Sequence, residues 1–217
     1  MEKHAVNNAE IITLESNQAI LFREQKKYSK AYKCIEKVIK LGRNDGWVYS
    51  EAGLNLYELE KYEKALDNFE KAINLGKNES WIYYYSFWSA SCLGYREKAQ
   101  EFIEKGLKLY PEDTDINFSA GLYYESIKEY AKALSYLDKL NDDYDDKYSL
   151  YLSLGKCNER LGKYDLALSY YKKAKLVNDS AEIKKEISRL KIKKVVLFII
   201  EIIFLIMIIK LVLTFIF

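Results

Sequence analysis

Apolar positions along this chain recur with the spacing of a helix face, and the helical stretches themselves recur at a fixed interval. From Gly46 to Glu79 the sequence GWVYSEAGLNLYELEKYEKALDNFEKAINLGKNE reads as two short amphipathic helices joined by a tight turn. Ala65 within it has counterparts at Ala31, Ala99, Ala133 and Ala167, each 34 positions from the next. With repeats begun at Ile12, Gly46, Ser80, Thr114 and Tyr148, position 20 is Ala in all five. Position 8 reads Ala19, Gly53, Phe87, Gly121 and Gly155, and position 17 reads Tyr28, Tyr62, Arg96, Tyr130 and Tyr164. Position 24 reads Ile35, Phe69, Ile103, Leu137 and Tyr171, and position 27 reads Val38, Ala72, Gly106, Leu140 and Ala174. Small residues at positions 8 and 20 let two helices approach closely, and large ones at 4, 11, 17 and 24 fill the space around that contact. One such pair cannot bury its apolar face alone, so neighbours must stack. The pattern predicts an all-α fold of ten helices sharing one continuous core.

Turn chemistry supports the same register. Leu41-Gly42 and Leu75-Gly76 place Gly just past a helix end, where a positive φ is wanted. Asp45, Ser80 and Thr114 fall where the next helix needs an N-cap oxygen. Three positions depart from the pattern: Phe87 replaces a small residue, Asp143 takes the usually apolar position 30, and Asn158 takes a core position. The fourth junction therefore departs most, and it contains the acidic run Asn141 to Asp146. That run is read as a solvated linker. The other reading, a calcium loop, lacks the Gly and the terminal Glu of an EF-hand.

These residues resemble the tetratricopeptide repeat family over roughly Ile12 to Ala181, with Pro111 at the family's favoured boundary proline. The resemblance implies an α-solenoid of about five helix–turn–helix repeats, at 12–45, 46–79, 80–113, 114–147 and 148–181, after a lead at 1–11. In that family the first helix of each repeat lines a concave face. Carried over, the groove holds Trp47, Glu51, Leu54 and Tyr57, then Trp81, Tyr84, Tyr85 and Trp88, then Phe118 and Leu122. Arg23 and Glu24 stand toward one end, and Lys156, Glu159 and Arg160 toward the other. The spacing of Trp81, Tyr84, Tyr85 and Trp88 (i, i+3, i+4, i+7) puts them on one helix face without help from the family. Such a face is either core, packed on the next repeat, or a groove. The third repeat already has a core set in Tyr83, Phe87, Ala99, Phe102 and Ile103, which leaves the stripe for a groove. The Lys and Asn that clamp a C-terminal carboxylate in some family members are replaced here by Ser16, Ile20, Glu51, Trp81 and Tyr85. The expected partner is therefore an apolar or aromatic peptide or helix, not a carboxylate-bearing chaperone tail.

After the repeats, 182–194 reads as a basic capping helix. Ile183, Ile187 and Leu190 form one stripe, and Lys184, Lys185, Arg189, Lys191, Lys193 and Lys194 occupy the other face. The segment 195–217 is apolar except for Glu201, Lys210 and Thr214. As a helix it is about 35 Å long, enough for a transmembrane span. Each charge costs ~2.5–3.5 kcal/mol at a bilayer centre, while each Val, Leu, Ile or Phe contributes roughly 0.3–0.6 kcal/mol the other way. Nineteen such residues leave insertion favoured. Glu201 and Lys210 lie on opposite faces, about 13.5 Å apart along the axis, so they cannot pair within one helix. They either tolerate their depth by snorkelling or face a second membrane helix. The basic cluster before the span places the repeats in the cytoplasm, with the chain tail-anchored and, in a bacterial cell, in the inner membrane. The alternative is that the apolar helix is buried in a larger complex.

Charge and chemistry narrow the remaining classes. The 34 basic and 32 acidic residues give a net charge of +2 and no general pull toward nucleic acid. The groove centre lacks the cations that a single-strand funnel needs. One histidine, His4, supplies neither a His-based metal site nor a triad base, and three scattered cysteines form no metal-ligand spacing. Residues 1–10 are polar, with no apolar core for a secretory signal. The chain is thus expected to be a cofactor-free, non-enzymatic scaffold on a membrane. The alternative is a structural subunit of a membrane complex, such as envelope or secretion machinery, held through its span.

Overall fold

The structure, a computed structural model, describes residues 2–140 and 144–216, with side chains described over 8–140 and 144–213. Among the described residues there are eleven α-helices and no strand: α1 (Glu2–Glu24), α2 (Tyr28–Lys40), α3 (Gly46–Glu58), α4 (Tyr62–Asn74), α5 (Ser80–Cys92), α6 (Arg96–Leu109), α7 (Thr114–Ser126), α8 (Tyr130–Leu137), α9 (Lys147–Arg160), α10 (Tyr164–Val177) and α11 (Ala181–Ile216). Two compact units divide inside α7, Met1–Ser119 and Ala120–Phe217. The lead expected before Ile12 is continuous with α1.

In the first unit α1 packs on α2, α3 on α4 and α5 on α6, and contacts of α2 with α3 and α4 with α5 link the pairs. Ala19, Ile35, Val38, Val48 and Ala52 form one buried cluster, and Leu56, Ala65, Phe69 and Ile82 form the next. Within each pair the closest approach falls at position 8. A Cβ added to Gly53 would lie 2.7 Å from the Phe69 ring, one on Gly121 2.4 Å from Leu137, and one on Gly155 2.5 Å from the Tyr171 ring. Position 8 is thus stripped to glycine where position 24 of the same repeat is bulky. The third repeat redistributes that volume. Phe87 is buried at position 8, Ile103 at position 24 is smaller than Phe69 or Tyr171, and Gly106 at position 27 leaves room for Ile116.

The turn between the two helices of each repeat holds one residue in the left-handed region, always position 15: Lys26 (φ 57°), Glu60 (φ 58°), Gly94 (φ 73°), Lys128 (φ 68°) and Gly162 (φ 76°). Side chains at three of these five positions accept a conformation that costs an L-residue about 1–2 kcal/mol. Between repeats, Gly42 (φ 98°) and Gly76 (φ 83°) occupy the expected positive-φ sites.

Two expected N-caps are displaced by one residue. Asp45 does accept from the Val48 N–H at 3.0 Å. Thr114, however, is already inside α7, and Asp113 accepts from the Ile116 N–H at 3.0 Å. Ser80 is inside α5, whose N-cap is Glu79; that carboxylate makes no cap bond because Lys77 and Trp81 occupy it. Of the acidic run, Asn141, Asp142 and Asp143 lie outside the described residues. Asp146 caps α9 through the Ser149 N–H at 3.1 Å. The helix before the run, α8, has only 8 residues against 13 or 14 in α2, α4, α6 and α10. Asn and Asp bond local backbone in turns and compete with helix there.

In the second unit α9 and α10 pair, and α11 packs along α10. Ile183, Ile187 and Leu190 are buried, as their spacing predicts. The opposite face is less free than its sequence implies. Arg189 grips the buried Glu159 carboxylate with two hydrogen bonds of 2.9 and 2.7 Å, and Tyr171 Oη donates to the same group at 3.0 Å. Lys193 lies 3.5 Å from Glu159, Lys184 2.8 Å from Asp179, and Lys194 pairs with Asp165. Four of the six cations are thereby bound to the chain's own acids, while Lys185 and Lys191 face solvent. Asn158, the polar residue at a core position, is accommodated by donating to the Leu154 carbonyl at 2.8 Å.

Gly155→Ala should lower unfolding stability by roughly 1–3 kcal/mol, because the Tyr171 ring leaves no room for a methyl. Glu60→Gly should raise it by about 1 kcal/mol by removing left-handed strain. Thermal or denaturant unfolding of both variants tests this, and equal stabilities would refute the packing account. Burial opposes ionisation of Glu159, but bonds from Arg189 and Tyr171 outweigh it and hold the carboxyl below its usual range. Its contribution is therefore present above the unfolded value near ~4.3 and lost as pH falls through the folded one. Arg189→Ala should reduce hydrogen-exchange protection of Ala181–Lys194 clearly at pH 7 and much less at pH 3.

Candidate functional site

The aromatic stripe lies on α5 and faces the end of α3. Trp81, Tyr84, Tyr85 and Trp88 are all half-buried, as are Trp47, Leu54 and Tyr57 on α3. Inner edges of Leu54, Tyr57, Trp81 and Tyr85 rest on the Leu56–Phe69–Ile82 core cluster. Tyr85 stacks on Phe69 at 6.2 Å and meets Tyr57 edge-on at 4.8 Å, while Trp81 meets Phe69 edge-on at 6.4 Å. Tyr84 joins Tyr85 at 5.0 Å and Trp88 at 6.3 Å, both edge-on. The stripe is therefore neither wholly core nor wholly free. One side is locked by rings behind it and the other is open, which fixes rotamers in advance of any ligand.

A cleft of about 440 Å³ opens beside these rings. Its apolar walls are Trp47, Leu54, Trp81 and Tyr85, and its polar groups are Arg23, Glu51, Lys77 and Glu79. Glu51 is 7 % exposed and sits 3.1 Å from Arg23 Nε. Burial raises its carboxyl above the ordinary range, and the Arg23 charge offsets only part of that. Trp81 Nε1 donates to Glu79 Oε2 at 2.6 Å, and Lys77 Nζ donates to the other oxygen at 2.5 Å. The Arg43 guanidinium covers the Trp47 ring at 4.4 Å. Burial pushes the Tyr85 phenol up to about 12 and raises that of Tyr57 as well, so both remain hydroxyl donors at neutral pH. The buried Trp88 indole N–H has no hydrogen-bond partner among the described residues. The face thus presents flat apolar surface beside a few polar groups.

One expected aromatic groove residue is buried. Phe118 is 7 % exposed, its ring turned into the packing and not onto an open surface. Leu122 is half-buried on α7, in the second unit. Lys77 and Glu79 were not foreseen, because they lie in the connection between repeats and not on a first helix. A Glu at the N-cap position followed two residues later by Trp was the available signal. In the second unit, Glu159 and Arg160 line a separate polar cleft of about 470 Å³ with Lys156, Glu125 and Arg189. Glu201 and Lys210 are exposed on α11, whose most apolar stretch has a mean hydropathy of 3.1 and is 0 % buried in the protein. α11 is long and apolar enough to cross a membrane.

Helix pairs at a fixed period, with an aromatic face on their first helices, define a helical-repeat protein of the kind that binds peptides or partner proteins. The chain belongs to the tetratricopeptide repeat family, whose profile matches residues 15–183. Comparison with curated proteins gives no match. Solved structures share the fold. YrrB, described as a TPR protein with an unusual peptide-binding site, is 19 % identical, with 81 % of this chain and 90 % of that one covered and a TM-score of 0.67. MamA from Desulfovibrio magneticus is 20 % identical over 78 % of this chain and 98 % of that one, with a TM-score of 0.67. PilF from Pseudomonas aeruginosa is 18 % identical over 81 % and 80 %, with a TM-score of 0.70.

Because burial raises the Glu51 carboxyl, its ionised form destabilises the fold as pH rises through that raised value, and the penalty is absent below the unfolded value near ~4.3. Glu51→Gln should raise the melting temperature at pH 7 by about 2–4 °C, the shift that ~1 kcal/mol produces in a chain of this size. The gap should close by pH 4; a gap independent of pH would refute the account.

Proposed function

We propose that this chain is a membrane-anchored protein-interaction scaffold. The face formed by Trp47, Glu51, Leu54 and Tyr57 of α3 with Trp81, Tyr84, Tyr85 and Trp88 of α5 binds an apolar or aromatic peptide or helix of a partner. The observation carrying this reading is the half-buried aromatic face beside the 440 Å³ cleft, held rigid from behind by Phe69. Membership of a family of protein-binding scaffolds supports it, and no catalytic role is assigned. The anchor reading rests on α11, which is continuous from the capping turns into an apolar stretch that no protein surface covers. Positive charge before the span orients the repeats to the cytoplasm; Lys185 and Lys191, which face solvent, contribute most directly.

A second reading is favoured by one observation. Glu201 and Lys210 are both exposed on the span, where lipid is a poor solvent for them. In that reading they contact helices of a larger membrane complex, and the chain is a structural subunit of it. Glu201→Leu with Lys210→Leu would then abolish assembly while leaving membrane insertion intact.

Affinity capture from native membranes separates the two. Trp81→Ala with Trp88→Ala should lose a specific partner at least tenfold while the protein stays folded and membrane-bound. Retention of every partner would overturn the groove reading. A chain lacking 195–217 should move to the soluble fraction, and persistent sedimentation with membranes would overturn the anchor.

A further inference from the structure

The contacts between α10 and α11 fix which part of the last repeat meets the bilayer. The two helices run antiparallel. Lys184 near the start of α11 pairs with Asp179 just after α10, whereas Lys194 pairs with Asp165 and Lys193 lies 5.0 Å over the Tyr164 ring at the start of α10. α10 and the segment Ala181–Lys194 each have 14 residues, and both are therefore about 21 Å long. The first turn of α10 is consequently level with Lys194, the residue immediately before the apolar stretch.

From Val195 to Ile216, where α11 ends, that stretch is about 33 Å long, which a modest tilt fits to the ~30 Å of a hydrocarbon core. With those residues filling the core, Lys194 lies in the headgroup layer, roughly 5–7 Å thick on each side. A typical span tilt of about 20° shifts a helix packed ~10 Å away by only about 3 Å, less than that thickness.

The residues brought to this level have interfacial chemistry. In the α9–α10 turn and the first turn of α10, Leu161 is 39 % exposed and Leu166 45 % exposed, large apolar side chains that are partly open at the surface. Arg160 and Lys163 are exposed between and beside them. Apolar side chains flanked by long cations suit the boundary of acyl chains and headgroups, where the stems lie in lipid and the charges reach phosphate. Asp165, the acid at this end, is occupied by Lys194.

We propose that the turn joining α9 and α10, with Leu161, Lys163 and Leu166, is seated in the headgroup layer of the membrane that α11 crosses. The bilayer surface is then a second ligand of the last repeat and holds it against the membrane. The inference rests on the anchor reading above.

Site-directed fluorescence in liposomes tests it on the full chain. Cys92→Ser removes the one exposed cysteine; Cys34 and Cys157 are buried, with thiols pushed up by burial to about 11 and about 12, and label poorly. A nitrobenzoxadiazole label is then placed singly through Leu166→Cys, Leu176→Cys or Ile199→Cys. Leu176 is 88 % exposed and about 15 Å farther from the span along α10. In phosphatidylcholine–phosphatidylglycerol liposomes carrying a headgroup-level spin-labelled lipid, quenching at position 166 should exceed that at 176 at least twofold. Equal quenching at 166 and 176, with the Ile199→Cys label quenched by an acyl-chain spin label, would overturn this proposal and leave the anchor standing. An unquenched label at 199 would overturn both.

Discussion

Everything in this chain depends on how closely the two helices of a repeat approach at position 8. At Gly53, Gly121 and Gly155 even a methyl group would enter the side chain opposite, at 2.4–2.7 Å. That proximity lets Phe69, Leu137 and Tyr171 lie flat across the partner helix and become the buried centre of their repeats. The aromatic face follows from it directly. Phe69 is held by Gly53 on one side and supports Trp81 and Tyr85 on the other. A larger residue at position 53 would push Phe69 outward and disorder the face before it changed the fold.

The repeat architecture was legible in the sequence because volume is conserved locally. A period of 34 with small residues fixed at positions 8 and 20 leaves few ways to pack. Even the departures were readable in kind: Phe87 displaced bulk within its repeat, and Asn158 found its own backbone carbonyl one turn earlier. What escaped were features set by single angles or long side chains. Whether Thr114 or Asp113 caps α7 is a matter of one residue's ψ. The turn into the core that buries Phe118 depends on packing that a position number does not encode. Lys77 and Glu79 enter the cleft because the connection between repeats folds back toward Trp81, and Arg189 finds Glu159 across 30 positions of sequence.

The candidate site illustrates why periodicity alone divided its aromatics ambiguously between core and groove. Both descriptions apply to the same rings. A face that must present large apolar surface to a ligand without collapsing onto itself is best held from behind, and edge-on and stacked rings do that at little entropic cost. The buried Glu51 points the same way. Its carboxyl, raised by burial, lines the cleft beside Trp47 and Trp81. The family supplies the general role of a protein-binding scaffold.

α11 runs as one helix from Ala181 to Ile216, with no break at the boundary between its capping turns and its apolar stretch. As the proposed anchor, α11 is a mast with no joint, clamped to the last repeat by Arg189, Lys193 and Lys194. In a bilayer, a change in thickness that tilts the span would tilt that repeat by the same angle. The orientation of the last repeat would then report the mechanical state of the membrane beneath it.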